Sequence, residues 1–110
     1  MFDLCIVGGG PAGVAAGVYA ARKRLKTIFI TESFGGQSTE SVGIENWIGT
    51  KKIAGADFAK ILEDHLRAYA GNIVEIKTGV RVTKISKSDH GFRIEAGENY
   101  EAKTILITAG

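Results

Sequence analysis

Three glycines near the amino terminus, Gly8, Gly10 and Gly13, hold the spacing G-x-G-x-x-G within Leu4-Cys5-Ile6-Val7-Gly8-Gly9-Gly10-Pro11-Ala12-Gly13. An apolar run leads into them, an alanine-rich stretch follows, and a second apolar run ends at Glu32. In that setting the chemistry is the cradling of a dinucleotide pyrophosphate. Gly8 permits a tight turn out of the strand, Gly10 lets the backbone approach the phosphates, and Gly13 lets the helix pack closely on the strand. The helix N-terminus aims free N–H groups and a positive dipole end at the anion. Glu32 stands where an acid accepts hydrogen bonds from a ribose diol. The spacing alone does not say which dinucleotide binds, and its competitor is a purely structural turn in another α/β protein.

The elements that must position these residues follow from apolar periodicity. Residues 2–7 read as a buried parallel strand, 12–24 as a first helix and 25–31 as a second strand. Gly17 lies four residues after Gly13, so both face the sheet. Residues 32–53 show no clear period, and loops of that length are usually functional. A second helix covers 54–70, with Phe58, Ile61, Leu62, His65, Leu66 and Tyr69 on one face, and Gly71-Asn72 ends it. Residues 73–77 form a third strand. Alternation over 80–86, 91–96 and 99–102, with turns at 88–91 and 97–98, predicts an antiparallel meander; 104–108 is another buried strand. The expected fold is α/β: a Rossmann-like parallel sheet of the first, second, third and last strands, with helices and the meander as the crossover back to the sheet.

Composition narrows the partners. The chain has 110 residues, ordinary apolar content and a net charge of +2, which argues against nucleic acid. The basic run Arg22-Lys23-Arg24-Leu25-Lys26 falls at the predicted helix end, where cations complement the dipole. No apolar stretch is long enough for a membrane span, and residues 2–7 lack the basic flank of a secretory leader. Cys5 is the single cysteine and sits in a strand as a small apolar residue, so the chain carries no dithiol centre of its own. This cysteine usage fits the cytoplasm. His65 reads as packing and His90 as a turn residue. No cluster has metal-ligand spacing.

Four stretches carry a resemblance to the pyridine-nucleotide-dependent flavoprotein disulfide reductases: Ile6 to Gly13 with Tyr19-Ala20-Ala21-Arg22 behind it, Phe34-Gly35-Gly36-Gln37, Ile44-Glu45-Asn46-Trp47, and Thr104 to Gly110. The chain is most similar to low-molecular-weight thioredoxin reductases and the flavoprotein subunit of alkyl hydroperoxide reductase. The resemblance implies that the dinucleotide is FAD. Gly8, Gly10, Pro11, Ala12 and Gly13 would then surround the pyrophosphate, and Glu32 would hold the adenosine ribose. Gly36, Gln37 and Asn46 would approach the flavin ring and ribitol, and the Val82 backbone would meet the adenine. Gly110 closes the strand that in this family ends Ala-Thr-Gly. Here Thr108 and Ala109 stand in its place, which moves the hydroxyl by one position, and Ile48 stands where many relatives carry proline.

The resemblance also implies that residues 1–110 are the N-terminal segment of an FAD-binding domain, without the inserted NADPH domain, its Cys-x-x-Cys pair and the returning FAD segment. The parent would pass a hydride from NAD(P)H to FAD and then electrons to a disulfide on a thioredoxin-like or peroxiredoxin-system protein, commonly as a homodimer. No residue of this chain is named as a catalytic acid, base or nucleophile. Two other functions stay open: a dithiol-free flavin reductase of the ferredoxin-NADP reductase type, and a stand-alone nucleotide-binding module without turnover.

Overall fold

The computed structural model describes residues 1–109. The chain runs β1 (Phe2–Val7), α1 (Pro11–Arg22), β2 (Thr27–Thr31), a 3₁₀ helix (Gly36–Glu40), α2 (Gly55–Ala70), β3 (Val74–Thr78), β4 (Lys84–Ser88), β5 (Gly91–Ala96) and β6 (Glu98–Ile107). The strands form one sheet in the order β3-β2-β1-β6-β5-β4. The pairs β3-β2, β2-β1 and β1-β6 are parallel, whereas β6-β5 and β5-β4 are antiparallel. The expected parallel sheet of first, second, third and last strands is therefore present.

The two faces explain the residue types. On one face α1 and α2 pack over Ile6, Phe29 and Val74, joined by Val14, Val18, Phe58, Leu62 and Leu66. On the other, Cys5, Ile28 and Ile30 share a cluster with Ile94, Ala96 and Ala102 from the antiparallel arm. The second strand is buried along its whole length, which is why it reads as an unbroken apolar run rather than an alternation. Gly17 sits at the helix–helix contact as well as over the sheet: a Cβ there would lie 2.7 Å from Leu66 Cδ1 and 3.4 Å from Phe29 Cδ2. A glycine at this point lets α1, α2 and the sheet close on one another.

The structure corrects four expectations. The strands expected over 99–102 and 104–108 are one strand, β6. It changes partners instead of breaking: Ala102 pairs with both Phe92 of β5 and Phe2 of β1. Lys103 and Thr104 looked like an interruption, but they are exposed polar residues on a continuous strand. The first meander strand begins at Lys84 rather than 80, because residues 79–83 form an extended strap outside the ladder. The meander does carry the chain from β3 back to β6, but residues 104–108 are not the buried strand expected: Thr104, Leu106 and Ile107 are exposed. Of the apolar face expected on α2, only Phe58, Leu62 and Leu66 are buried, together with Gly55 and Ala70; Ile61, His65 and Tyr69 are exposed. A single neighbouring helix covers a narrower stripe than the periodicity outlines.

Candidate functional site

The parallel strands end at a cleft of about 560 Å³, a size typical of cofactor sites. It lies beyond the carboxyl ends of β1, β2 and β6. There the chain leaves β1 for β2 on one side and returns through β6 on the other, the switch point at which open α/β sheets bind ligands. Its walls are the Gly8-to-Ala12 turn, Thr31 to Ser33, Gly35 to Ser38, the Val80-Arg81-Val82 strap, and Thr108-Ala109.

The turn is set by close backbone contacts. Gly8 has φ +115°, in the region that favours glycine, and its N–H donates to the Ile30 carbonyl at 3.0 Å. The Gly9 carbonyl accepts from the Gly35 N–H at 2.8 Å, which ties the 3₁₀ segment to the turn. Gly13 is buried beneath the cleft; a Cβ there would fall on the Gly8 carbonyl oxygen and lie 2.8 Å from Thr108 Oγ1. Gly10 is different. Its backbone is extended (φ −77°, ψ −172°), and a Cβ there would meet nothing within 4 Å.

The helix start suits an anion. Val14 is the first residue whose N–H reaches back, to the Gly10 carbonyl at 3.0 Å. The N–H groups of Ala12 and Gly13 therefore have no intrahelical acceptor. No side chain caps them, and no acidic residue lies in the first turn. Pro11, at the first helical position, has no N–H to satisfy. Uncapped donors, a positive dipole end and open space at Gly10 form a cradle that a phosphate pair fits.

Other named residues converge on the same cleft. Glu32 is exposed just after β2, and its backbone carbonyl accepts from the Gly79 N–H at 3.0 Å. Gly36 (φ +55°) and Gln37 open the 3₁₀ helix within the long segment that had no period, and the Gly36 carbonyl accepts from Thr39 Oγ1 at 2.9 Å. Val82 lines the cleft from the strap. Asn46 does not line it; it is exposed in the following segment, which a bridge between Ile44 and Ile53 closes and Trp47 anchors against Phe58 at 4.9 Å between ring centroids. Gly110 lies outside the described residues.

Sequence reasoning missed three contributors. Thr108 Oγ1 donates to the carbonyls of Val7 (2.9 Å) and Gly8 (3.3 Å), fastening the end of β6 to the glycine turn. The displaced hydroxyl was its only signal. Gly9 is required because a Cβ would lie 2.5 Å from Thr31 Oγ1 and 2.7 Å from the Ser33 carbonyl oxygen. Arg81 is the one cationic side chain among the described lining residues; nothing local marked it. Cys5 is fully buried in β1, and burial pushes its thiol up to about 11, so it is no nucleophile at neutral pH. Among the described residues no group of His, Cys, Asp and Glu could hold a metal ion, and no helix is long and apolar enough to cross a membrane.

With this geometry in place, comparison with known proteins identifies the family. Residues 2–110 match the family model described as pyridine nucleotide-disulphide oxidoreductase. The chain is 38% identical over 111 residues to an alkyl hydroperoxide reductase subunit of Pseudomonas aeruginosa, an alignment covering 99% of the chain and 21% of that protein. It superposes on thioredoxin reductase of Lactococcus lactis with TM-score 0.90 at 30% identity, covering all of the chain and 36% of the enzyme. For thioredoxin reductase of T. acidophilum, the TM-score is 0.87 at 39% identity, with 99% and 35% covered. The chain thus spans about a fifth to a third of the length of these relatives. The chain belongs to the pyridine nucleotide-disulphide oxidoreductase family.

Proposed function

We propose that this chain is the N-terminal segment of an FAD-binding domain, in an oxidoreductase that moves electrons from NAD(P)H through FAD to a protein disulfide. One observation carries the reading. An uncapped helix start, an open glycine, an acid beyond the second strand and a Gly-Gln pair all line one cleft at the switch point. When bound, FAD supplies the two-electron redox chemistry. The residues of this chain bind and orient. The Ala12 and Gly13 N–H groups and the exposed backbone at Gly10 hold the pyrophosphate. Glu32 accepts from the ribose hydroxyls, and Val82 offers backbone to the adenine. Gly36 and Gln37 stand beside the turn for the ring and ribitol, where an amide side chain can hydrogen-bond the polar flavin edge without adding charge. Asn46 takes the same role by resemblance, from the neighbouring segment. The relatives named for alkyl hydroperoxide and thioredoxin reduction support an acceptor with a reducible disulfide.

Titration of the chain with FAD, followed by flavin fluorescence, tests the assignment. Glu32→Ala removes an ionised acceptor, and hydrogen bonds to charged groups contribute about 1.5–3 kcal/mol. The expected result is a Kd at least about tenfold weaker. Unchanged affinity in Glu32→Ala refutes the ribose assignment.

A further inference from the structure

Arg81 is an exposed charged side chain on a backbone held in place, and among the described residues it makes no ion pair. It stands on the strap between β3 and β4, which is pinned at both ends. At one end the Gly79 N–H donates to the Glu32 carbonyl at 3.0 Å; at the other, the Thr83 N–H and Oγ1 both bond the Glu95 carbonyl, at 2.8 Å and 3.1 Å. Between the pins the side chains alternate. Val80 and Val82 are half-buried against the Cys5–Ile28–Ile30 cluster, while Arg81 is exposed. Gly79, at φ +73°, turns the chain into this strap. Among the described residues Arg81 makes no ion pair, yet it lines the cleft with Glu32, and the two are the only charged side chains there.

A cation on a flexible loop is ordinary solvated surface. Here packing and hydrogen bonds set the backbone on both sides of Arg81, so its place on the cleft lip is part of the fold. The phosphate-binding donors belong to α1 and the ribose acceptor is Glu32. The strap, bonded to Glu32 through its backbone, lies at the same end as the ribose. The ligand surface left for Arg81 is the electron-rich face of the base, on which a planar guanidinium stacks.

We propose that Arg81 is a further binding residue that stacks on the adenine of the bound dinucleotide. This rests on the dinucleotide reading above and extends it to a residue that neither the glycine fingerprint nor the family resemblance singles out.

Isothermal titration of the chain and its Arg81→Ala and Arg81→Lys variants with FAD and with ADP tests it. The expected result is a loss of about tenfold for Arg81→Ala with both ligands, because the contact lies in the half they share. Arg81→Lys should recover only part of that loss, since it keeps the charge but not the planar face. Thermal midpoints should not move, as the side chain is exposed. Unchanged affinity in Arg81→Ala, a loss for FAD but not ADP, or full recovery by lysine overturns the proposal while leaving the dinucleotide site standing. Failure of the unsubstituted chain to take up either ligand overturns the dinucleotide reading itself and the Arg81 proposal with it.

Discussion

Gly10 and Gly13 belong to one fingerprint, but the structure gives them separable jobs, and alanine substitution should split them. At Gly10 the backbone is extended and a Cβ meets nothing within 4 Å, so alanine needs no rearrangement of the protein. Its effect on folding should stay within about 0.5 kcal/mol, the range of a neutral surface change. The same methyl projects where the pyrophosphate must approach the backbone, so FAD affinity should fall by about two orders of magnitude, on the scale of a buried overlap of about 1–3 kcal/mol. At Gly13 a Cβ falls on the Gly8 carbonyl oxygen and comes within 2.8 Å of Thr108 Oγ1. Backbone must move, so Gly13→Ala should lose about 3 kcal/mol of stability, the upper end for overpacking, before any ligand is considered. Urea denaturation monitored by circular dichroism gives the stabilities, and fluorescence titration with FAD gives the affinities. A Gly10→Ala protein that folds normally and binds FAD like the unsubstituted chain refutes the phosphate cradle. A Gly13→Ala protein of unchanged stability refutes the close approach of α1 to the turn.

Other consequences can be checked on the same protein. Thr108→Val keeps the shape but removes the donor to the Val7 and Gly8 carbonyls; it should destabilise by about 1–3 kcal/mol, with Thr108→Ser restoring most of the loss in urea melts. Arg24 has φ +58° and completes a helix C-cap in which its N–H bonds the Ala21 carbonyl and the Leu25 N–H bonds that of Ala20. Arg24→Gly should therefore stabilise by about 0.5–1 kcal/mol, and a lowered urea midpoint would contradict this. Cys5 should resist Ellman's reagent in the native protein and react fully in urea. Its folded value, about 11, lies above the ordinary 9.0, so the fold favours the neutral thiol. That contribution is complete below pH 9 and is lost as the pH rises through 11; Cys5→Ala should lose less stability than the unsubstituted chain over that window.

Local steric demands were legible in the sequence, and long-range partnerships were not. The glycine spacing encodes the positive φ of Gly8 and the approach of Gly13 to the Gly8 carbonyl, both set within one turn, so it marks the site before any tertiary structure is known. The burial of β2 was legible because a strand covered on both faces is apolar through its centre, whereas the equally apolar end of β6 leaves Leu106 and Ile107 exposed. By contrast, Lys103-Thr104 looked like a strand break because the pattern of β6 shifts where its partner changes from β5 to β1. Helical period located the direction of the α2 face but not its width, which depends on how much α1 covers. The Thr108 hydroxyl bonds carbonyls about a hundred positions away, a relation that only the β1-β6 register creates. The presentation of Arg81 likewise depends on bonds from Gly79 to Glu32 and from Thr83 to Glu95.

Whether this cleft holds FAD is decided by purifying the chain natively, adding FAD, removing the excess and recording the visible absorption spectrum with identification of any released cofactor. A flavin spectrum retained by the chain and lost in Gly10→Ala, with FAD released on denaturation, is the predicted result. A chain that is colourless once the excess FAD is removed, while its circular dichroism shows the folded α/β structure, would contradict the FAD assignment.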